Sequence, residues 1–198
     1  MNIAKGAGWT LFLDRDGVIN KEQEGTYVTS WEEFEFLPGV LAGLSEVRPY
    51  FDKIIIVTNQ RGVGKGIMSV ATLKEIHSKM RACFTEAGVH IDKVYSAIAL
   101  ASDDINRKPN TGMAMQAKED FEDIDFKKSV MVGNNLSDME FGKRLGMKTV
   151  FLTTTKGKME LPHELIDMQC DSLQEWCNCL RVLCKWHERR FSASNFFS

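Results

Sequence analysis

Two acidic side chains follow the first apolar segment of the chain, in the stretch LFLDRDGVIN (11–20). Asp14 and Asp16 are two positions apart, so in extended backbone they point the same way. Two carboxylates roughly 4 Å apart repel each other by about 4 kcal/mol at an effective dielectric constant near 20. A magnesium ion bound by both, together with a substrate phosphate, would turn this repulsion into attraction.

Phosphoryl transfer is the chemistry that would use both carboxylates. One of them can attack phosphorus and form an aspartyl phosphate. The other can protonate the leaving oxygen and later activate water. We assign the nucleophile to Asp14 and the acid/base to Asp16.

Two further side chains could stabilise the charge that such a transition state spreads over its oxygens. Thr58 ends the apolar segment KIIIVTN (53–59), and Lys108 lies in INRKPNTGM (105–113). Pro109 restricts the backbone of Lys108 to extended conformations, and Thr111 and Gly112 follow as a helix start. We expect both side chains to contact the phosphate.

The elements that must position these residues alternate between short strand-like and longer helix-like segments. Strands are predicted over 9–14, 53–59, 94–100, 129–133 and 148–153, and helices over 38–51, 69–88, 112–122, 136–146 and 172–188. This alternation predicts an α/β protein with a mainly parallel five-stranded sheet covered on both faces. Ligands bind beyond the carboxyl ends of such strands. Asp14, Thr58 with Asn59, and Gly133 with Asn134 should therefore meet in one crevice.

The connection between Asp14 and Pro38 is long for a compact domain. Its segment GTYVTSWEEFEF (25–36) is rich in aromatic and β-branched residues. We predict a small hairpin or flap over the crevice.

Four short motifs, DRDGVIN, VTNQ, RKP and VGNNLSD, occur in this order along the chain. In this they resemble the four motifs of the haloacid dehalogenase superfamily. The variants DRDGVIN, TNQ-x-GV and RKP-x-x-GM look like the group of D-glycero-D-manno-heptose 1,7-bisphosphate phosphatases and histidinol phosphatases. The resemblance covers roughly residues 9–153.

The resemblance implies a Rossmann-like three-layer sandwich with a minimal or absent cap, which we take as one domain over 1–198. It implies a magnesium cofactor, with Asp14 as nucleophile and Asp16 as acid/base. The remaining roles that we expect are phosphate contacts from Thr58 and Lys108, substrate contacts from Asn59, Gln60, Arg61 and Arg107, and metal contacts from Asp14, Asp16, Asn134 and Asp138.

The chain departs from the pattern of this group at three places. Asn134 stands where the group usually has Asp, which predicts weaker magnesium binding. The segment SAIALASDDIN (96–106) has neither Cys nor His, so we expect no zinc, and it replaces a loop that helps to choose the substrate in this group. Arg61 stands where a small residue is common, and it could hold a second phosphate or carboxylate.

Composition limits the partners of the chain. It has 198 residues and a net charge of −2, which argues against nucleic acid and anionic membranes as partners. No signal peptide or membrane span is evident, and five cysteines suggest reduced thiols, so we expect a cytoplasmic protein. We also expect a monomer. The polar tail FSASNFFS (191–198) is expected to be loosely held.

We therefore predict a magnesium-dependent phosphatase acting on a small phosphorylated metabolite, with the heptose bisphosphate as first choice. Histidinol phosphate is the alternative substrate. A receiver-type phosphate acceptor would have no need of Asp16 as an acid. A family member that binds phosphate without hydrolysis is the remaining alternative, indicated only by Asn134.

Overall fold

A computed structural model of the chain describes residues 3–23 and 25–194, with side chains up to residue 186. Its centre is a six-stranded sheet in which every neighbouring pair of strands is parallel. The strands are β1 (Thr10–Leu13), β2 (Lys53–Asn59), β3 (Lys93–Ala97), β4 (Ser129–Gly133), β5 (Lys148–Leu152) and β6 (Met168–Cys170). Their order across the sheet is β3-β2-β1-β4-β5-β6.

Helices cover both faces of the sheet. They are α1 (Val40–Val47), α2 (Arg61–Gly64), α3 (Val70–Glu86), α4 (Gly112–Asp120), α5 (Leu136–Arg144) and α6 (Leu173–Ser194). The buried side chains of α1, α3 and α6 form one apolar cluster, and those of α4 and α5 form the other. None of the described helices is long and apolar enough to cross a membrane.

Alternation of side chains along β2 explains how one strand serves both clusters. Ile54 and Ile56 pack in the first cluster, whereas Ile55 and Val57 pack in the second. A strand that is buried on both faces needs a continuous apolar run, which is what KIIIVTN supplies. The predicted α/β class and Rossmann-like layering are confirmed.

Several element boundaries differ from the predicted ones. A sixth strand, β6, was not predicted, because the segment MQC contains no β-branched residue. Helix α1 ends earlier than expected, since Pro49 turns the chain into a short 3₁₀ helix over Arg48–Tyr50. Helix α6 continues to Ser194, so the tail predicted to be loose starts as helix. The last four residues of that tail, 195–198, lie outside the described residues.

The long loop after β1 carries no hairpin in its described part, so that alternative of the prediction is wrong. Gln23, Tyr27 and Val28 of the loop line the active-site cavity, as the alternative of a flap over the crevice predicted. The backbone of the loop forms turns and isolated bridges, including one between Asn20 and Phe36. Aromatic rings anchor it instead: Trp31 stacks on Phe34 with centroids 5.0 Å apart, and Phe36 meets Phe84 of α3 edge-on at 5.6 Å. The loop is thus fixed to the body of the protein by ring packing.

Candidate active site

Asp14 lies at the point where the connections of the sheet change direction. It follows β1, which has β2 on one side and β4 on the other, and its backbone amide donates to Val132 of β4 at 3.0 Å. Crevices at such positions are the usual ligand sites of parallel sheets. The Asp14 residue is 7% exposed, and burial raises its pKa to about 7, although the Lys108 ammonium partly offsets this.

Lys108 joins three elements at the floor of the crevice. Its Nζ lies 2.8 Å from Oδ1 of Asp14, 2.7 Å from Oδ1 of Asp138 and 2.7 Å from the carbonyl oxygen of Val57. Burial alone would lower the pKa of Lys108, but the charges of Asp138 and Asp14 outweigh it and the pKa is raised. The ammonium is therefore a permanent positive charge beside the proposed nucleophile.

Asn59 holds the backbone of Lys108 in place. Its Oδ1 accepts from the Lys108 amide at 3.0 Å, and its Nδ2 donates to the Lys108 carbonyl at 3.2 Å. Sequence reasoning expected Asn59 to bind substrate. The contacts give it a second task, which is to fix the loop that carries the lysine.

Asp16 is surrounded by hydrogen-bond donors. Arg15 donates to Oδ1 at 2.7 Å, Asn20 donates to Oδ1 at 3.0 Å, and Gln60 donates to Oδ2 at 2.7 Å. Burial would raise the pKa of Asp16, but the Arg15 guanidinium and these hydrogen bonds lower it. Gln60 also donates to Thr58 Oγ1 at 2.8 Å, so it links the acid/base candidate to the phosphate-contact candidate.

Arg15 is buried, with 1% exposure, and it makes a second contact behind Asp16. Its Nη1 lies 3.2 Å from Nε2 of His77 on α3. A guanidinium can only donate, so this nitrogen of His77 accepts and the imidazole is neutral. Burial and the charge of Arg15 lower the pKa of His77 to about 3.

Asn134 follows β4 and is completely buried. Its Nδ2 donates to Glu22 Oε2 at 3.0 Å and to Thr155 Oγ1 at 2.7 Å, and its Oδ1 accepts from Asn135 Nδ2 at 3.2 Å. Gly17 lies against this amide: a Cβ on Gly17, which has φ +77°, would meet Nδ2 at 2.1 Å. Only glycine therefore fits at position 17, directly after Asp16 and against the Asn134 side chain.

Asp138 uses both of its oxygens within the protein. Oδ1 contacts Lys108, and Oδ2 accepts from the backbone amide of Asn135 at 3.0 Å in the capping box of α5. The assignment of Asp138 as a metal ligand stays a prediction. Its contacts favour a different task, which is to hold Lys108.

A cavity of about 320 Å³ opens above these residues. It is lined by eight of the predicted site residues: Asp14, Asp16, Thr58, Asn59, Gln60, Arg61, Lys108 and Asp138. Asn134 lies beside it through its contact with Glu22, which is itself part of the lining. Arg107 is not in this lining, and its guanidinium donates to the Leu100 carbonyl at 2.7 Å.

Sequence reasoning missed four residues that shape this site: Arg15, Asn20, Glu22 and Thr155. Arg15 and Asn20 lie inside the motif DRDGVIN itself, so their proximity to Asp16 was the available signal. No sequence signal pointed to Glu22 or Thr155, because they reach Asn134 from two loops that are far apart in sequence.

Comparisons with known proteins identify the family of the chain. Residues 10–164 match the sequence model of a family described as polynucleotide kinase 3 phosphatase. D-glycero-alpha-D-manno-heptose-1,7-bisphosphate 7-phosphatase of Mycobacterium bovis is 39% identical over 141 residues, which cover 70% of this chain and 74% of the relative. D-glycero-beta-D-manno-heptose-1,7-bisphosphate 7-phosphatase of Helicobacter pylori is 29% identical over 173 residues, which cover 86% of this chain and 96% of that relative.

A solved structure shares the fold. It is the D,D-heptose 1,7-bisphosphate phosphatase from B. bronchiseptica complexed with magnesium and phosphate, with a TM-score of 0.78 and 26% identity over 87% of this chain and 97% of that chain. The chain therefore belongs to the haloacid dehalogenase-like phosphatases, in the matched family and in the group of heptose bisphosphate phosphatases. It is accordingly a phosphoric monoester hydrolase, as the motifs predicted.

The residues of the crevice fit a magnesium ion. Magnesium prefers oxygen ligands and usually takes one or two carboxylates plus a substrate phosphate. Asp14 supplies a carboxylate and Asn134 an amide oxygen, and the glycine at position 17 leaves room for the Asn134 side chain. When bound, the ion would supply positive charge for the phosphate oxygens.

Proposed function

We propose that this chain hydrolyses the 7-phosphate of D-glycero-D-manno-heptose 1,7-bisphosphate through an aspartyl phosphate on Asp14, with Asp16 as acid/base and with magnesium held by Asp14 and Asn134. The observation that carries the proposal is the contact of 2.8 Å between Asp14 Oδ1 and Lys108 Nζ at the cavity floor, with Asp16 two residues away. The names of the relatives support the choice of substrate.

The first half-reaction needs a nucleophile, a charge partner and an acid. The Asp14 carboxylate attacks phosphorus, and Lys108 stabilises the charge on the oxygens of the transferring group. Asp16 must take up a proton before this step, because its hydrogen bonds lower its pKa. It then donates that proton to the sugar oxygen as the bond from phosphorus to that oxygen breaks. The alcohol product then leaves with that proton.

The second half-reaction reverses the task of Asp16. The carboxylate of Asp16 takes a proton from water, and the water oxygen attacks phosphorus and releases Asp14. Arg15, Asn20 and Gln60 hold Asp16 in one orientation through both steps. Inorganic phosphate is the second product.

Arg61 is the group that we assign to the far end of a bisphosphate. It lines the cavity, and its Nε is buried without a hydrogen-bond partner among the described residues. A buried guanidinium N–H that lacks a partner costs free energy, so the Arg61 side chain would gain by turning its guanidinium toward a phosphate oxygen in the cavity. This favours a substrate with a second anionic group over one with a single phosphate.

The cellular setting belongs to the same proposal. None of the five cysteines, all of which the structure describes, forms a disulfide, and three of them are buried, which suits a reducing compartment such as the cytoplasm. We propose a monomer whose ligand is a small phosphate ester, with neither nucleic acid nor membrane as partner and without zinc. The net charge of −2 agrees with this choice of partners.

The test is phosphate release from a substrate panel by the full-length chain. The panel contains the alpha and beta heptose 1,7-bisphosphates, histidinol phosphate and an oligonucleotide with a 3′-phosphate, each with magnesium and with EDTA. We expect the highest kcat/KM with a heptose bisphosphate, and no turnover in EDTA. Preference for histidinol phosphate or the oligonucleotide would overturn the substrate, and undiminished turnover in EDTA would overturn the cofactor.

A further inference from the structure

Glu22 makes a contact that the proposed chemistry does not use. It lies on the loop after β1, and its Oε2 accepts from Nδ2 of the buried Asn134 at 3.0 Å. Glu22 lines both the active-site cavity and a neighbouring cavity of about 770 Å³. An acidic side chain thus stands directly behind the one metal-ligand candidate that has no charge.

This contact decides which way the Asn134 amide points. A carboxylate can only accept hydrogen bonds, so Glu22 must face the NH₂ group of Asn134. Thr155 Oγ1 takes the other donor position at 2.7 Å. The carbonyl Oδ1 is therefore directed to the opposite side, where it accepts from Nδ2 of Asn135 at 3.2 Å. Asn135 lines the active-site cavity, so this side faces the cavity.

Glu22 also restores the charge that Asn134 lacks. A hydrogen bond from an amide to a carboxylate polarises the amide and makes its oxygen a better cation ligand. With Asp at position 134, two carboxylates would face each other where an N–H now lies between Asn134 and Glu22. The amide and the acid therefore suit each other as a pair.

We propose that Glu22 is a positioning residue that orients Asn134 Oδ1 toward the divalent cation and supplies a negative charge one side chain further out. This rests on the proposed magnesium-dependent function. The arrangement replaces a direct carboxylate ligand by an amide that a carboxylate supports. Magnesium affinity should then depend on residues 22 and 134 jointly.

Metal affinity without turnover tests the proposal. Dissociation constants for Mn²⁺ by electron paramagnetic resonance, and for Mg²⁺ by titration calorimetry, are measured on the full chain and on Glu22→Gln, Asn134→Asp and the double variant. Loss of a side chain that supports a metal ligand typically weakens binding by about 10-fold to 100-fold, and we expect a loss of about 10-fold for Glu22→Gln. Glu22→Asp keeps the charge but has a shorter side chain, so its metal affinity should lie between those of the unchanged chain and Glu22→Gln.

The double variant shows whether Glu22 and Asn134 affect metal affinity as a pair or independently of each other. Asn134→Asp should raise affinity much more in the Glu22→Gln background than in the natural one, because the opposing carboxylate is then gone. Glu35→Gln is the matched control, since Glu35 lines the neighbouring cavity and pairs with Lys21 at 3.7 Å. The affinity of Glu35→Gln for Mn²⁺ and Mg²⁺ should equal that of the unchanged chain. Thermal melting without metal should show that each variant is folded.

Two results would contradict the proposal in different ways. If the natural chain binds metal and Glu22→Gln binds it equally well, or if Asn134→Asp acts alike in both backgrounds, the positioning role is wrong while the phosphatase mechanism stands. If the natural chain binds neither ion, the magnesium requirement fails and this inference fails with it.

Discussion

Lys108 Nζ lies 2.7 Å from Oδ1 of Asp138, and both side chains are 1% exposed. This buried ion pair connects the loop before α4 to the first turn of α5. The same ammonium contacts Asp14 at 2.8 Å. Asp138 thus acts on the proposed nucleophile through the lysine that lies between them.

Replacing Asp138 by Asn tests whether it holds Lys108 or binds metal. Breaking a buried pair costs about 3 to 5 kcal/mol when it leaves a charge unpaired. Because Lys108 would still contact Asp14, we expect a smaller loss in the free energy of unfolding in urea. The kcat should fall, whereas Mn²⁺ affinity should change little. A loss of Mn²⁺ affinity as large as that of Asp14→Ala would make Asp138 a ligand. Asp103→Asn, at an exposed position, is the control.

Neutralising each of the two acidic residues of the first motif separates their roles. Asp14→Asn removes the nucleophile and should abolish turnover. Asp16→Asn should lower kcat by roughly 10²-fold to 10⁴-fold, the range for loss of a general acid. Rapid-quench assays on the Asp16 variant should detect the phosphoryl enzyme. Turnover that survives Asp14→Asn would refute the nucleophile assignment.

The two candidate substrate arginines should behave differently. Arg61→Met should raise KM for a bisphosphate about 10-fold or more, the loss expected from a charged hydrogen bond. It should change KM little for p-nitrophenyl phosphate, which has no second phosphate. Arg107→Met should leave both values unchanged, because its guanidinium contacts the Leu100 carbonyl. Equal effects of Arg61→Met on both substrates would argue against a distal phosphate site.

His77 should make stability depend on pH below neutrality. Its pKa is lowered from 6.5 to about 3, so its contribution to stability is fully present above 6.5 and is lost as the pH falls toward 3. One pKa unit corresponds to about 1.4 kcal/mol, so about 2 kcal/mol should be lost between pH 7 and pH 5.

Urea unfolding across this pH range measures the contribution of His77. His77→Gln keeps an acceptor for Arg15 but does not titrate. In this variant the difference in the free energy of unfolding between pH 7 and pH 5 should be smaller by about 2 kcal/mol. His90→Gln changes a histidine whose side chain is 66% exposed. It should not change how the free energy of unfolding depends on pH. A pH dependence that is unchanged in His77→Gln would show that other groups cause it.

Gly17 should tolerate no side chain. Gly17→Ala combines a positive φ with a Cβ placed 2.1 Å from Asn134 Nδ2, whereas Gly146 has φ +75° and open space around it. The left-handed backbone alone costs about 1 to 2 kcal/mol, so Gly146→Ala measures that cost. Gly17→Ala should destabilise further and should also weaken Mn²⁺ binding. Equal losses in both variants would show that the collision is relieved.

The sequence predicted the central sheet and the meeting of its strand ends because both follow from local patterns. The β-branched run KIIIVTN favours a strand buried on both faces, and residues that end parallel strands share one edge. Asp14, Thr58 and Lys108 therefore came together as expected. Strand β6 and the loop after β1 escaped prediction because tertiary packing determines them.

Side chains that act from behind the crevice were the hardest to foresee. Glu22 reaches Asn134, and His77 reaches Arg15, across distances in sequence that no spacing rule covers. For Arg107 the motif predicted a substrate contact, which stays a prediction, and the structure adds a hydrogen bond from its guanidinium to the Leu100 carbonyl. Motifs indicate which groups react, but they carry little information about which groups support them.

The aromatic anchor of the loop after β1 has an evolutionary consequence. Trp31, Phe34 and Phe36 fasten one end of the loop, while Gln23 and Tyr27 face the cavity from the other end. Side chains at the cavity rim can be exchanged without loosening the rings. New substrate preferences can thus evolve, or be engineered, on this scaffold while the catalytic machinery is left intact.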